Sequence, residues 1–133
     1  MASFEYRVGV TPETEDIMEL YESSGIRRPI GDPERIRKMY ANSNLVVTAW
    51  NGQVLAGVAR SMTDFCYACY LSDLAVRKVY QKQGIGMRLI EATQQEIGPQ
   101  TSLILLAAPG AMGYYPKVGF EKIENGFIIH RKR

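Results

Sequence analysis

Histidine and cysteine are nearly missing from this chain: among 133 residues there are one histidine and two cysteines. A structural zinc site needs four such ligands, so none is expected, although Cys66 and Cys69 form a C-x-x-C pair. The pair lies in a β-rich run from Phe65 to Leu71, where residues three apart point to opposite faces. Both cysteines therefore read as small apolar side chains. An excess of one charge is also missing, since 16 basic residues face 14 acidic ones for a net charge of +2. Basic residues cluster only in His130-Arg131-Lys132-Arg133, and there is no basic stripe interleaved with aromatics of the kind that binds nucleic acid. No apolar run reaches the length of a bilayer span, and none follows Met1-Ala2-Ser3 as a targeting peptide would. No nucleic acid or membrane partner is expected, and the default location is the cytoplasm. Two nucleotide signatures fail as well. The dinucleotide pattern G-x-G-x-x-G meets Leu89 where its third glycine should stand, and no P-loop string occurs.

What is present is an apolar content of 46% with 23% charged residues, the composition of a globular protein able to bury one core without metal or disulfide. A single domain over residues 1–133 is expected. Phe4 to Val10 reads as an edge strand. Thr11-Pro12 and Asp32-Pro33 each pair a capping residue with a proline at the first helical position. Ile17, Leu20 and Tyr21, then Ile36, Met39 and Tyr40, supply the apolar stripes of two helices. The loop between them, Ile26 to Gly31, mixes apolar and basic residues and is a candidate wall of a substrate cleft.

Leu45 to Trp50 and Gln53 to Met62 flank Asn51-Gly52, the strongest short-range hairpin signal, and Phe65 to Val76 supplies a third antiparallel strand. A helix from about Gly84 to Ile97 stops at Gly98-Pro99. The continuous apolar run Leu103 to Ala108 reads as a strand covered on both faces. A short helix up to Val118 follows. Phe120 to Ile123 and Phe127 to Arg131, joined across Glu124-Asn125-Gly126, read as a last hairpin. The order is that of an α+β domain with a mostly antiparallel sheet, in which the strand-helix-strand unit around Gly84 makes one parallel pair.

The densest chemical signal is the passage from Ser72-Asp73-Leu74-Ala75-Val76, through Gln81-Lys82-Gln83-Gly84-Ile85-Gly86, into Met87-Arg88-Leu89. A strand runs through a basic, glycine-bearing loop into a helix, and the first turn of a helix offers free N–H groups and a positive dipole end to an anion. Glycines at 84 and 86 clear side chains from those amides.

The string Gln81-x-x-Gly84-x-Gly86 resembles the acetyl-CoA pyrophosphate loop of the GCN5-related N-acetyltransferase (GNAT) family, and the element order is similar to that family's arrangement. Tyr114-Tyr115-Pro116-Lys117-Val118-Gly119-Phe120 resembles its second cofactor segment. Gly57-x-Ala59-Arg60, Asp73-Leu74-Ala75-Val76 and Tyr80-Gln81 resemble small prokaryotic members and plastid arylalkylamine acetyltransferases. The resemblance implies a mixed, mostly antiparallel sheet of about seven strands with four helices, splayed at its central parallel pair. It implies acetyl-CoA as cofactor, with Leu74, Ala75 and Val76 along pantetheine and Gln81, Lys82, Gln83, Gly84, Ile85, Gly86 and Met87 around the pyrophosphate. Tyr115 falls at the place of the tyrosine that protonates the departing thiolate. Asp73 is a candidate base or water-orienting group, and Ala108 stands where relatives often have an asparagine. Pro116 stands where many have an acidic residue. The implied activity is transfer of acetyl to a primary amine of a small molecule or peptide by direct attack in a ternary complex. A non-catalytic acyl-CoA-binding regulatory domain is the competing reading. Edge strands at either end of the sheet leave room for a homodimer.

Overall fold

The computed structural model describes residues 3–133. Five strands form one sheet in the order β1 (Glu5–Val8), β2 (Leu45–Asn51), β3 (Val54–Thr63), β4 (Ala68–Val76), β5 (Ser102–Ile104). Neighbours are antiparallel except β4 and β5. Helices α1 (Thr14–Ser24) and α2 (Pro33–Ala41) precede β2, and α3 (Ile85–Ile97) connects β4 to β5. Short 3-10 turns occupy Lys78–Tyr80, Pro109–Ala111 and Tyr115–Val118.

Alternation along the strands divides the core into two layers. Ile17, Leu20, Tyr21, Ile36 and Tyr40 of α1 and α2 pack on Val46, Leu55, Val58 and Ala75. On the other face Ile85, Leu89, Ile90 and Ile97 of α3 pack on Leu45, Val47, Ala59, Cys69 and Leu71. Asn51 and Val54 pair across the expected turn, with Gly52 at φ 61°.

Several expectations need correction. The sheet has five strands and the described residues contain three α-helices, not about seven and four. The first helix begins at Thr14 after Glu13, beyond the Thr11-Pro12 signal. Cys66 is not in a strand: Asp64 accepts from the N–H groups of Cys66, Tyr67 and Ala68 at 2.8–3.1 Å and closes a turn there. Those three donors draw the Asp64 carboxyl down to about 2. Only Leu103 and Ile104 of the apolar run pair with β4, and Leu106 is 63% exposed rather than covered. The run loses its ladder because β4 diverges from it. The segments 120–123 and 127–131 form no hairpin and take no place in the sheet.

Gly57 lets α3 approach the sheet. A Cβ there would lie 3.1 Å from the Ala75 carbonyl oxygen, 3.1 Å from Leu89 Cδ1 and 3.2 Å from Ile85 Cγ2. Overpacking such a contact costs about 1–3 kcal/mol. Gly57→Val is expected to lower stability by about that amount, read from urea unfolding midpoints at unchanged slope.

Candidate active site

Strands β4 and β5 pair over Ala68–Tyr70 and Ser102–Ile104, then part. A register shift between Arg60 and Ser61 leaves Ser72 unpaired as a bulge in β4, and bulges bend a strand in this way. Beyond it, the Arg77 N–H donates to the Ala56 carbonyl at 2.8 Å, toward β3. Alternation then turns the peptide groups of Leu74 and Val76 the other way, into the gap. Val76 oxygen accepts there from Gln81 Nε2 at 2.9 Å. That bond folds the loop back against the end of the strand.

The loop delivers the chain into α3 through two left-handed residues, Lys82 (φ 67°) and Gly84 (φ 84°). The first helical bond is from Arg88 N–H to Gly84 oxygen at 3.1 Å. The N–H groups of Gly84, Ile85, Gly86 and Met87 thus have no acceptor among the described residues, and no acidic side chain stands in that first turn. Four free donors at a positive dipole end suit a diphosphate. Lys78 and Lys82 are exposed beside it, whereas Arg88 lies 4.9 Å over the Tyr6 ring. The gap, the free amides and the glycine-lined approach all fit acetyl-CoA.

A Cβ at Gly86 would come within 2.7 Å of the Tyr114 hydroxyl and 3.9 Å of Leu74 Cδ2, so Tyr114 reaches over the start of α3. Tyr115 stacks edge-on against Tyr114 at 5.2 Å and Phe120 at 5.4 Å. Burial pushes the Tyr115 phenol above its ordinary range, Tyr114 adds to this, and the Arg28 charge opposes it. The phenol is therefore protonated at neutral pH.

Asp73 is wholly buried. Its Oδ1 accepts from Arg28 Nε at 2.6 Å, and its Oδ2 accepts from Arg60 Nε at 2.7 Å and Tyr21 Oη at 2.6 Å. Tyr40 lies 2.6 Å from Tyr21 and, as the Tyr21 proton goes to Asp73, donates to it. Arg28 Nη2 also donates to Ser72 oxygen at 2.7 Å, and Arg60 Nη2 to Ser72 Oγ at 2.9 Å. Burial alone would raise the Asp73 carboxyl, but the bonds and charge of Arg60, the bond from Tyr21 and the charge of Arg28 outweigh it and hold it below the usual range. Burial likewise pushes Tyr21 and Tyr40 far up. Where β3, β4 and β5 lie side by side, Met62, Thr63, Cys69, Tyr70 and Ile104 line an open, mainly apolar cavity of about 490 Å³.

A family model described as "Acetyltransferase (GNAT) domain" matches residues 19–130. The chain belongs to the GNAT acetyltransferase family. It is 30% identical over 112 residues to an uncharacterized ycf52-like N-acetyltransferase of Prochlorococcus marinus, a match covering 79% of this chain and 61% of the relative. The chain thus spans about three fifths of that relative's length. A probable acetyltransferase of unknown function from meticillin-resistant Staphylococcus aureus superposes with TM-score 0.78 at 26% identity, over 96% of this chain and all of the other. A GNAT-family acetyltransferase from Streptococcus pneumoniae gives 0.76 at 23%, over 98% and 100%. An aminoglycoside N-acetyltransferase in complex with CoA shares the fold, with 0.73 at 15% identity, over 100% and 97%.

Within this GNAT fold, Leu74, Ala75, Val76 and the segment Gln81 to Met87 come together along one opening, with Ala75 itself turned into the α1–α2 core. Tyr114 and Tyr115 approach from the far side of that opening. Asp73 is closed in by its own donors, since Ser72 Oγ also donates to Oδ1 at 3.2 Å and each oxygen then accepts two bonds. Sequence reasoning missed Tyr114, Tyr21, Tyr40 and the role of Arg28. The doubled tyrosine at 114–115 was a signal for the first, but the partners of Asp73 at 21 and 28 lie far off in sequence and carried none.

Removing one partner from a buried ion pair costs about 3–5 kcal/mol. Asp73→Asn is expected to lose that much at pH 7 by urea unfolding. Ionised Asp73 contributes stability above the unfolded carboxyl value of about 3.9, and this is lost as pH falls through its lower folded value. The advantage of wild type over Asp73→Asn should accordingly shrink below about pH 4.

Proposed function

We propose that this chain is an acetyl-CoA-dependent N-acetyltransferase that moves an acetyl group to a primary amine by direct attack in a ternary complex. The observation that carries the reading is the four free N–H groups at the start of α3, set beside the opened edge of β4. Acetyl-CoA, when bound, supplies an acetyl group activated as a thioester. Gly84 to Met87 hold its diphosphate through main chain, with Lys82 adding charge. Leu74 and Val76 pair with the pantetheine amides as a neighbouring strand would, and the Leu74 N–H is placed to polarise the thioester carbonyl.

The new bond joins the amine nitrogen to the acetyl carbon, the carbon–sulfur bond breaks, and the proton that the nitrogen gives up passes to solvent water, from which the phenol that protonates the sulfur is later restored. The leaving sulfur needs a proton, and Tyr115 is the group that gives it, as a phenol kept protonated by burial. The amine acceptor enters from the opposite face, over Met62, Tyr70 and Ile104. Asp73 acts through Arg28: it fixes the α1–α2 loop beside that entrance and is not the base.

Millimolar acetyl-CoA is expected to raise the melting temperature, and no shift at all would sink the reading. Tyr115→Phe should lower kcat by about 100-fold or more while leaving CoA affinity nearly unchanged. CoA binding with no thiol release across a broad amine panel would instead mark a non-catalytic acyl-CoA-binding domain, a reading favoured by the absence of a free carboxylate at Asp73.

A further inference from the structure

Two guanidinium groups share one carboxylate in the network around Asp73. Arg28 and Arg60 both pair with it, and no other acidic side chain lies within ion-pair distance of either arginine among the described residues. The phenols of Tyr21 and Tyr40 are neutral, because burial holds them far above their ordinary range. The cluster therefore carries one positive charge that no described residue offsets. That charge is presented by Arg28, whose side chain is 26% exposed, whereas that of Arg60 is 7% exposed.

Arg28 stands beside the place where the acceptor reading puts the reacting amine. It reaches from the α1–α2 loop onto Ser72, the residue left unpaired at the bulge, and donates to its carbonyl at 2.7 Å. Its charge also bears on the Tyr115 phenol. Three of its five N–H groups are taken up, by Asp73, by the Ser72 carbonyl and by the Arg27 carbonyl. One N–H on each terminal nitrogen is left without an acceptor among the described residues, and a carboxylate can take two such donors at once. Arg27, next in the chain, is exposed and adds a second cation to the entrance. The acidic residue on the cavity rim, Asp64, is at the other end: it is bonded to Ala68, four residues or about 13 Å from Ser72 along β4.

We propose that the acetyl acceptor is a free α-amino acid with an apolar side chain, and that Arg28 receives its carboxylate. The inference rests on the acetyltransferase reading above and names the acceptor within it. An α-amino acid carries amine and carboxylate on one carbon, so a carboxylate seated on Arg28 keeps the amine at the bulge, beside Tyr115. The side chain then lies over Met62, Tyr70 and Ile104. With the carboxylate in place the cluster holds two cations and two anions. An amine without a carboxylate instead arrives as a lone ammonium at a cluster already one charge in excess, and like charges repel.

Thiol release from acetyl-CoA, measured with leucine, methionine, phenylalanine and tyrosine, each beside its amide and its decarboxylated amine, reads the preference directly. The amide has the less basic amine and would win on amine reactivity alone. The free amino acid is expected to exceed both partners in kcat/KM by about 10-fold or more, the worth of a hydrogen bond to a charged group. Arg28→Gln should bring that ratio to about one, whereas a merely structural role would lower all three acceptors alike. Arg27→Glu should lower the ratio severalfold, and it decides the matter if Arg28→Gln does not fold. Thiol release with none of the four amino acids, equal rates within each set, or a ratio that survives in the folded variants overturns the proposal. Equal rates within each set would leave the acetyltransferase reading standing, whereas failure of acetyl-CoA to raise the melting temperature would remove that reading itself.

Discussion

A carboxylate shut completely inside a protein must be neutralised where it stands, and Asp73 is neutralised by groups drawn from four separate places. Arg60 comes from the neighbouring strand, Arg28 from the α1–α2 loop, Tyr21 from α1 and, through it, Tyr40 from α2. The network sits at the bulge where β4 turns away from β5. It therefore ties together the elements that would otherwise be free to close the gap: the two helices on one face, the loop over the entrance, and the bent strand itself.

The rest of the site follows from that bend. Once β4 has left β5, Leu74 and Val76 have peptide groups with no ladder to join, and the strand delivers the chain to the start of α3 at an angle that leaves Gly84 to Met87 uncovered. Gly57 lets α3 lie close enough on β3 to hold this angle. In the proposed reading main chain does the binding in both places, and it therefore commits few charged side chains there, in keeping with a net charge of +2.

Patterns of local period were legible in the sequence. The stripes of Ile17, Leu20 and Tyr21 and of Ile85 and Leu89, and the turn at Asn51-Gly52, place three helices and four strands close to where they lie, because each is decided within a few residues. The glycine loop was legible for the same reason. What escaped depends on partners. Phe120 to Arg131 has the alternation of strands, but alternation does not say which edge a strand will meet. Leu103 to Ala108 has the composition of a covered strand, and only the departure of β4 reveals that it is uncovered. Apart from the adjacent Ser72, the donors around Asp73 are residues 21, 28 and 60, brought together by the packing of two helices on a sheet.

The two loop glycines are there for unlike reasons. Position 84 is constrained by backbone angle alone, since a Cβ there would meet nothing, and asparagine can adopt such an angle at small cost. Position 86 is constrained by space, and the space is filled by the hydroxyl of Tyr114. Among relatives, variation at 84 should therefore be independent of the rest of the chain, whereas residues 86 and 114 should drift as a pair, a larger residue at one accompanied by a smaller one at the other.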